Sequence, residues 1–404
     1  MKIEKDKINK ILLAYSGGLD TSVAIKWLQD KYDAEIITYT ADLGQKQDWD
    51  EVEAKALKTG ASKAYIDDIR EEFITDYVYP ALKVNALYQE KYPLATALAR
   101  PLIAKRMVEV AKKENVDALA HGCTGKGNDQ VRFEVTFKAL APELAILAPL
   151  RDWGFTSRDD EIEYAAENNI DVKATKDSPY SIDQNLWGVS IECGILEDPW
   201  AEPPSDAYLW TKDVDDTPEE PKYIEIEFEK GVPTAVDGEK LSPIQIVNKL
   251  NEAGSEYGVG RIDMVEDRLV GIKSREIYEA PAGEILITAH KALESLTLDR
   301  ESKNYKAEMA AKYAELCYYG LWFSPLRDAL DAFVDKTQSY VSGTVKVKLY
   351  KGNCTLAGRK SDYSLYDHGL ATYDESDVFD HESAAGFINL WALPVQVANE
   401  KNRK

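Results

Sequence analysis

The stretch Ala14-Tyr15-Ser16-Gly17-Gly18-Leu19-Asp20-Thr21-Ser22 constrains this chain more than any other. The apolar run Ile11-Leu12-Leu13 in front of it reads as a short buried strand. Behind it, Val23, Ile25, Trp27 and Leu28 among Lys26, Gln29 and Asp30 set a helical period. A strand that turns through Gly-Gly into a helix leaves a nest of unpaired backbone N–H groups at a helix N-terminus. Those amides and the helix dipole both favour negative charge, so the turn suits an anion. Ser16, Thr21 and Ser22 add hydroxyl donors, and Asp20 fits either a helix cap or a share in a metal site. No Gly-Lys-Ser/Thr follows, and the dinucleotide Gly-x-Gly-x-x-Gly spacing is absent, so neither of those phosphate motifs applies. The plain alternative is a glycine-rich turn in which Asp20 only caps the helix. The rest of the chain decides between the two.

A length of 404 residues exceeds one ordinary core and implies two or three domains. No run of 18 apolar residues offers a membrane span, and the charged N-terminus with its short apolar run does not resemble a signal sequence. Cys123, Cys193, Cys317 and Cys354 lie far apart without a Cys-x-x-Cys, which gives neither a zinc site nor a disulfide framework. A reducing cytoplasm is the expectation. The formal net charge of -22 argues against a nucleic-acid backbone as partner. Any phosphate or carboxylate site must be locally positive against that field.

From residue 10 to about 170, strands and helices alternate. Strands are expected at Lys10–Tyr15, Glu35–Thr40, Ala64–Asp67, Ala118–Ala120 and Ala145–Ala148. Helices are expected at Asp20–Lys31, Asp48–Thr59, Ile69–Leu87, Ala97–Lys113 and Asp129–Ala139. The fold class this implies is α/β, a doubly wound parallel sheet with ligands beyond the carboxyl ends of its strands. Asp177–Asp216, rich in Pro, Asp and Trp, reads as irregular connection or domain boundary. From Tyr223 onward, alternating strands and the long helical patterns Pro281–Arg300, Lys303–Gly320 and Pro325–Lys336 imply an α+β domain. The tail after about Tyr366, with Phe387, Ile388, Leu390 and Trp391, is apolar for a terminus. Burial against another subunit or docking on its own domain would each account for it.

A second glycine-rich turn, His121-Gly122-Cys123-Thr124-Gly125-Lys126-Gly127-Asn128-Asp129, also follows an apolar run and precedes a helix. Asn128 and Arg132 share a helix face, and Asp129 either caps that helix or lies beside them. An amide, a guanidinium and a carboxylate together suit an amino acid carrying both carboxylate and ammonium groups. Arg100, Tyr92, Ser181, Ser190, Glu266 and Tyr278 carry no such signal on first principles and read as ordinary structural positions.

The first loop resembles the pyrophosphate loop of the N-type ATP pyrophosphatases. Together with Asp42-Leu43-Gly44-Gln45, Ala99-Arg100-Pro101, the string from Gly125 to Phe133, Gly258–Asp263 and Lys273–Glu279, it resembles the argininosuccinate synthase family nearly end to end. The resemblance implies an ATP-dependent ligase that joins citrulline to aspartate through a citrullyl-adenylate, releasing AMP and pyrophosphate, with Mg²⁺. It implies a pyrophosphate-loop domain over 1–172, an α+β synthetase domain over 173–365 and an oligomerisation tail over 366–404 in a cytoplasmic homotetramer. By resemblance, Ala14, Tyr15, Ser16, Gly17, Gly18, Leu19, Asp20, Thr21, Ser22, Ala41 and Gly122 line the ATP site. Thr124, Asn128 and Asp129 bind aspartate, while Tyr92, Asn128, Arg132, Ser181, Ser190, Glu266 and Tyr278 bind citrulline. Ser16, Asp20 and Asp129 are the expected catalytic groups. Some members carry Ser where this chain has Ala97, so Thr96 or a backbone amide is expected to supply that contact.

Other pyrophosphate-loop enzymes fit less well. A tRNA thiolase calls for a cysteine pair and a basic RNA face, and an amidotransferase calls for a glutaminase domain with its own cysteine. A non-catalytic relative need not keep Ser16, Gly17, Gly18, Asp20, Asn128, Asp129 and Arg132.

Overall fold

The computed structural model describes residues 8–155, 157–171 and 179–403; the expected boundary at 172/173 and the first seven residues lie outside them. Strands β1 (Lys10–Ala14), β2 (Glu35–Asp42), β3 (Lys63–Asp68), β4 (Ala118–Ala120) and β5 (Ala145–Leu147) form a parallel sheet in the order β3-β2-β1-β4-β5. Helices α1 (Leu19–Tyr32), α2 (Trp49–Thr59), α3 (Arg70–Glu72), α4 (Tyr79–Val84), α5 (Ala95–Glu114), α6 (Asp129–Leu140), α7 (Pro149–Asp152) and α8 (Arg158–Glu167) connect and follow them. The period of two splits β1 between two cores. Leu12 packs with Ile37, Tyr39 and α5, whereas Ile11 and Leu13 pack with Val23 and Ile25 of α1. Burial on both faces is why the strand reads as an unbroken apolar run. The chain winds outward from β1 to β3, then returns to place β4 on the other side of β1. That reversal is a topological switch point, and the two glycine-rich loops leave the carboxyl ends of the two strands that flank it.

The single helix expected over Ile69–Leu87 runs without a break from Arg70 to Val84, its α3 and α4 ends joined through a π-turn at Phe73–Val78. Pro80 has no N–H to give to the preceding turn, which widens there, and Asn85 at φ 60 ends the run.

The segment expected to be irregular holds a hairpin, β6 (Ser181–Asn185) and β7 (Gly188–Glu192). Beyond it come β8 (Lys222–Glu229), β9 (Val232–Val236), β10 (Glu239–Lys240), α9 (Pro243–Glu256), β11 (Arg261–Asp267), β12 (Lys273–Glu279), α10 (Pro281–Thr297), α11 (Arg300–Tyr318), α12 (Pro325–Thr337), β13 (Gly343–Tyr350) and β14 (Asn353–Lys360). These strands make two antiparallel sheets, β11-β12-β7-β6 and β10-β9-β8-β13-β14. The hairpin is tied to the start of α5, where the Trp187 indole donates to the Pro93 carbonyl at 2.8 Å and Asn185 Nδ2 to that of Ala95 at 3.0 Å. The stretch after it is held by the buried Glu279 carboxylate, which accepts the N–H groups of Leu209 (2.7 Å), Trp210 (3.0 Å) and Thr211 (2.7 Å).

In the tail, α13 (His368–Ala371) and α14 (His381–Asn402) have no buried residue, and Phe387, Leu390 and Trp391 of α14 are 61%, 71% and 73% exposed. The tail therefore does not dock on its own domain.

Candidate functional site

The first loop starts in register because Tyr15 N donates to the Tyr39 carbonyl at 2.8 Å. Gly17 sits at φ 78, a left-handed conformation that glycine adopts without strain. Gly18, not Asp20, is the N-cap of α1, and no side chain caps it. The turn with Asp20 as cap is thereby excluded. The amides of the first turn point away from any intrahelical acceptor. The loop's hydroxyls brace it: Ser22 Oγ donates to the Gly18 carbonyl at 2.7 Å, and Ser16 Oγ meets Thr21 Oγ1 at 3.1 Å. Lys55 of α2 reaches the Gly17 carbonyl at 2.5 Å, bringing positive charge to a molecule that is acidic overall. Sequence reasoning missed Lys55, because a lysine on an amphipathic helix carries no mark of its own. Asp20 hydrogen-bonds Glu161 of α8, and burial together with the Asp20 charge pushes the Glu161 carboxyl up to about 7.

The second loop is fixed by His121, fully buried, whose Nδ1 accepts the Cys123 N–H at 3.2 Å while Nε2 faces Glu134 Oε1 at 3.3 Å. Asn128 is the N-cap position of α6 without capping through its side chain, and Asp129 occupies the first turn. Asp129 lies between two guanidiniums, accepting from Arg100 Nε at 2.8 Å and Arg132 Nη1 at 2.8 Å. Burial pushes its carboxyl up, but those two cations outweigh it and hold Asp129 below the usual carboxylate range. Arg100 also donates to Asp183 of β6, whose carboxyl burial pushes up. Arg100 thus joins the site as a second residue that its own sequence context did not reveal.

Behind these charges stands the sheet β11-β12-β7-β6. Tyr278 donates to Glu266 Oε2 at 2.6 Å, and Ser190 Oγ to Glu276 Oε2 at 3.2 Å. Arg268 pairs with Glu276 at 2.8 Å and with Glu192. Burial, then the neighbouring Glu276, push the Glu266 carboxyl up to about 7, against the opposing pull of Tyr278, Tyr318 and Arg132. Tyr92 stacks on Tyr278 with ring centroids 4.1 Å apart, and its hydroxyl meets Thr96 Oγ1 at 2.8 Å.

One cavity of about 570 Å³ runs through all of this. Its walls include Ala14, Tyr15, Ser16, Asp20, Thr21, Ala41, Thr96, Gly122, Thr124, Asn128, Asp129, Arg132, Ser181 and Ser190 from the expected set, and Arg100, Asp183, Glu192, Arg268 and Glu276 besides. Gly17, Gly18, Leu19 and Ser22 shape the loop without forming its wall, and Tyr92, Glu266 and Tyr278 lie one layer back, each nearly or fully buried. Thr96 faces the cavity, whereas Ala97 is wholly inside the core.

An anion loop at a switch point, continuous with a pocket of paired carboxylates and guanidiniums, defines an enzyme that uses a nucleotide to activate a polar amino acid. Residues 10–171 match the family model described as arginosuccinate synthase N-terminal HUP domain, and residues 180–398 match that of the arginosuccinate synthase C-terminal domain. The argininosuccinate synthases of Chlorobium luteolum and Pelodictyon phaeoclathratiforme are 58% and 59% identical over 391 residues, 97% of this chain and 98% of each relative. That of Dictyoglomus thermophilum is 58% identical over 387 residues, 96% of both chains. The chain belongs to the argininosuccinate synthase family. Its activity is the ATP-dependent condensation of citrulline with aspartate, a step of arginine biosynthesis.

Proposed function

We propose that this reaction runs in the cavity at the β1/β4 switch point, with the phosphates on the first loop and both amino acids against the second. The observation that carries the reading is that both loops and the Arg100–Asp129–Arg132 cluster line the same cavity. Ala14–Ser22, Ala41 and Gly122 hold ATP, which brings Mg²⁺ as part of the substrate. Ser16 and Asp20 attend the departing pyrophosphate. Thr124, Asn128 and Asp129 take aspartate, the ionised Asp129 receiving its ammonium. Tyr92, Thr96, Asn128, Arg132, Ser181, Ser190, Glu266 and Tyr278 take citrulline. Arg132 gives Nη1 to Asp129 and Nε to the Tyr318 carbonyl, leaving Nη2 for the citrulline carboxylate.

The chemistry follows from what a ureido group lacks. Its oxygen is a weak nucleophile and its carbon a poor electrophile, so the oxygen is first joined to the α-phosphorus as the bond to pyrophosphate breaks. The amine of aspartate then attacks the carbon, and AMP departs with the former ureido oxygen. Alignment and neutralisation of the leaving pyrophosphate are the protein's contribution. Citrulline with a heavy-oxygen-labelled ureido group tests this. Label in the phosphate of AMP is expected; label in pyrophosphate would overturn it.

The domain division at 172/173 and 365/366 and a cytoplasmic homotetramer belong to the same reading. Support for the oligomer alone comes from the exposed apolar residues of α14, the kind of surface that marks a protein interface.

A further inference from the structure

Tyr318, the last residue of α11, is fully buried and forms no part of the cavity wall, yet it touches three of the residues assigned above to citrulline. Asn128 Nδ2 donates to its hydroxyl at 2.8 Å, and that hydroxyl donates to Glu266 Oε1. With Glu266 ionised, proton accounting leaves no other arrangement. An amide NH₂ only donates, so the phenol accepts from Asn128 and its single hydrogen goes to the carboxylate. The other end of the Asn128 amide is occupied as well, Oδ1 accepting the Leu269 N–H at 2.9 Å. The Tyr318 carbonyl takes Arg132 Nε at 3.0 Å, and the Arg132 guanidinium lies over the ring at 4.8 Å from its centroid. On the far side the ring stacks on Tyr88 at 3.6 Å, and Tyr88 donates to the Asp267 carbonyl, next to Glu266, at 2.7 Å. The close approach of α11 to α6 is possible because residue 320 is glycine at φ 73; a Cβ there would stand 2.8 Å from Arg132 Cα.

We propose that Tyr318 is a positioning residue for citrulline: its hydroxyl locks the Asn128 amide and the Glu266 carboxylate into one arrangement across α6, α11 and β11. The proposal rests on the assignment of those side chains to citrulline. It deepens that assignment by naming the part that holds them in register. The groups facing Glu266 are Glu276 and Tyr278 from β12, Arg132 from α6, Tyr88 and Tyr92 from the segment before α5, and Tyr318 itself. Removing the phenol hydrogen therefore strips the carboxylate of one donor that favours its ionised form.

Tyr318→Phe tests this, since it keeps the ring, its stacking and the backbone carbonyl. The KM for citrulline is expected to rise roughly tenfold or more, as loss of a hydrogen bond to a charged group gives. The KM for ATP should stay within about twofold, and the pH at which the citrulline KM changes should move upward. Equal losses in all parameters with an unmoved pH profile would overturn the proposal and leave Tyr318 a packing residue. Glu266→Gln, measured alongside, separates the two claims. If Glu266→Gln raises the citrulline KM and Tyr318→Phe does not, the proposal fails and the site assignment stands. If Glu266→Gln leaves it unchanged, the assignment fails and the proposal with it. Should Tyr318→Phe not fold, Tyr318→3-fluorotyrosine keeps the shape and strengthens donation to Glu266. It is then expected to move the pH profile downward, and an unmoved profile would overturn the proposal.

Discussion

A Cβ placed on Gly122 would stand 2.8 Å from Thr21 Cγ2, so the two amide-lined loops are in direct contact across the β1/β4 switch point. Nothing but hydrogen fits between them. Gly122→Ala must therefore displace the Thr21 side chain at the position assigned to the phosphates, at a cost of about 1–3 kcal/mol. The expected result is a KM for ATP raised on the order of tenfold, with the citrulline KM little changed. Steady-state kinetics beside a thermal melt separates this from general unfolding.

Asp20 and Glu161 face each other as two carboxyls, and the Glu161 carboxyl is pushed up to about 7. A raised acid holds its proton more tightly in the folded chain than in the unfolded one. Its stabilising contribution is complete below the unfolded value of about 4.3 and is lost as pH rises through 7. Asp20→Asn should reduce that loss, so the variant melts at the same temperature as the parent or higher at pH 8, while kcat falls on the order of a hundredfold. A variant that loses stability and activity together would return Asp20 to a purely structural role.

In the proposed assignment, Glu266 sets the pH dependence of citrulline binding. With its carboxyl pushed up to about 7, it is neutral in more acidic solution and loses the negative charge behind the citrulline position. The KM for citrulline should therefore rise as pH falls below about 7, while Glu266→Gln should show a high KM with a flat profile. Initial rates at saturating ATP and aspartate across that range check both.

Lys306 and Glu294 form a buried ion pair at 2.9 Å, and Gln338 and Asn85 each donate to Glu294 at 2.7 Å. Lys306→Met leaves a carboxylate inside the protein without its cation, a change that costs about 3–5 kcal/mol. Chemical denaturation should register that loss, with the KM values at low temperature unchanged because the pair lies outside the cavity walls.

The parallel sheet was legible in the sequence because its central strands β1, β2 and β4 are buried on both faces and read as largely apolar runs, β4 to the residue. The hairpin β6–β7 and the pair β11–β12 were not. Their strands turn charged residues inward: Glu266 is 1% exposed, Glu276 7% and Glu279 0%. A sheet that backs a polar cavity thus inverts the pattern by which strands are found. The two loops announced themselves because glycine has few other reasons to recur at a strand-to-helix turn. Lys55, Arg100 and Tyr318 did not, since each acts through a partner distant in sequence. Tyr92, Glu266 and Tyr278 were named only through the family resemblance.

The most direct test of the shared cavity is exchange of labelled pyrophosphate into ATP with substrates added singly. If the first loop's phosphates and the citrulline pocket adjoin, citrulline alone supports exchange, and net AMP appears only when aspartate is added. Exchange that proceeds equally well without citrulline would contradict the account.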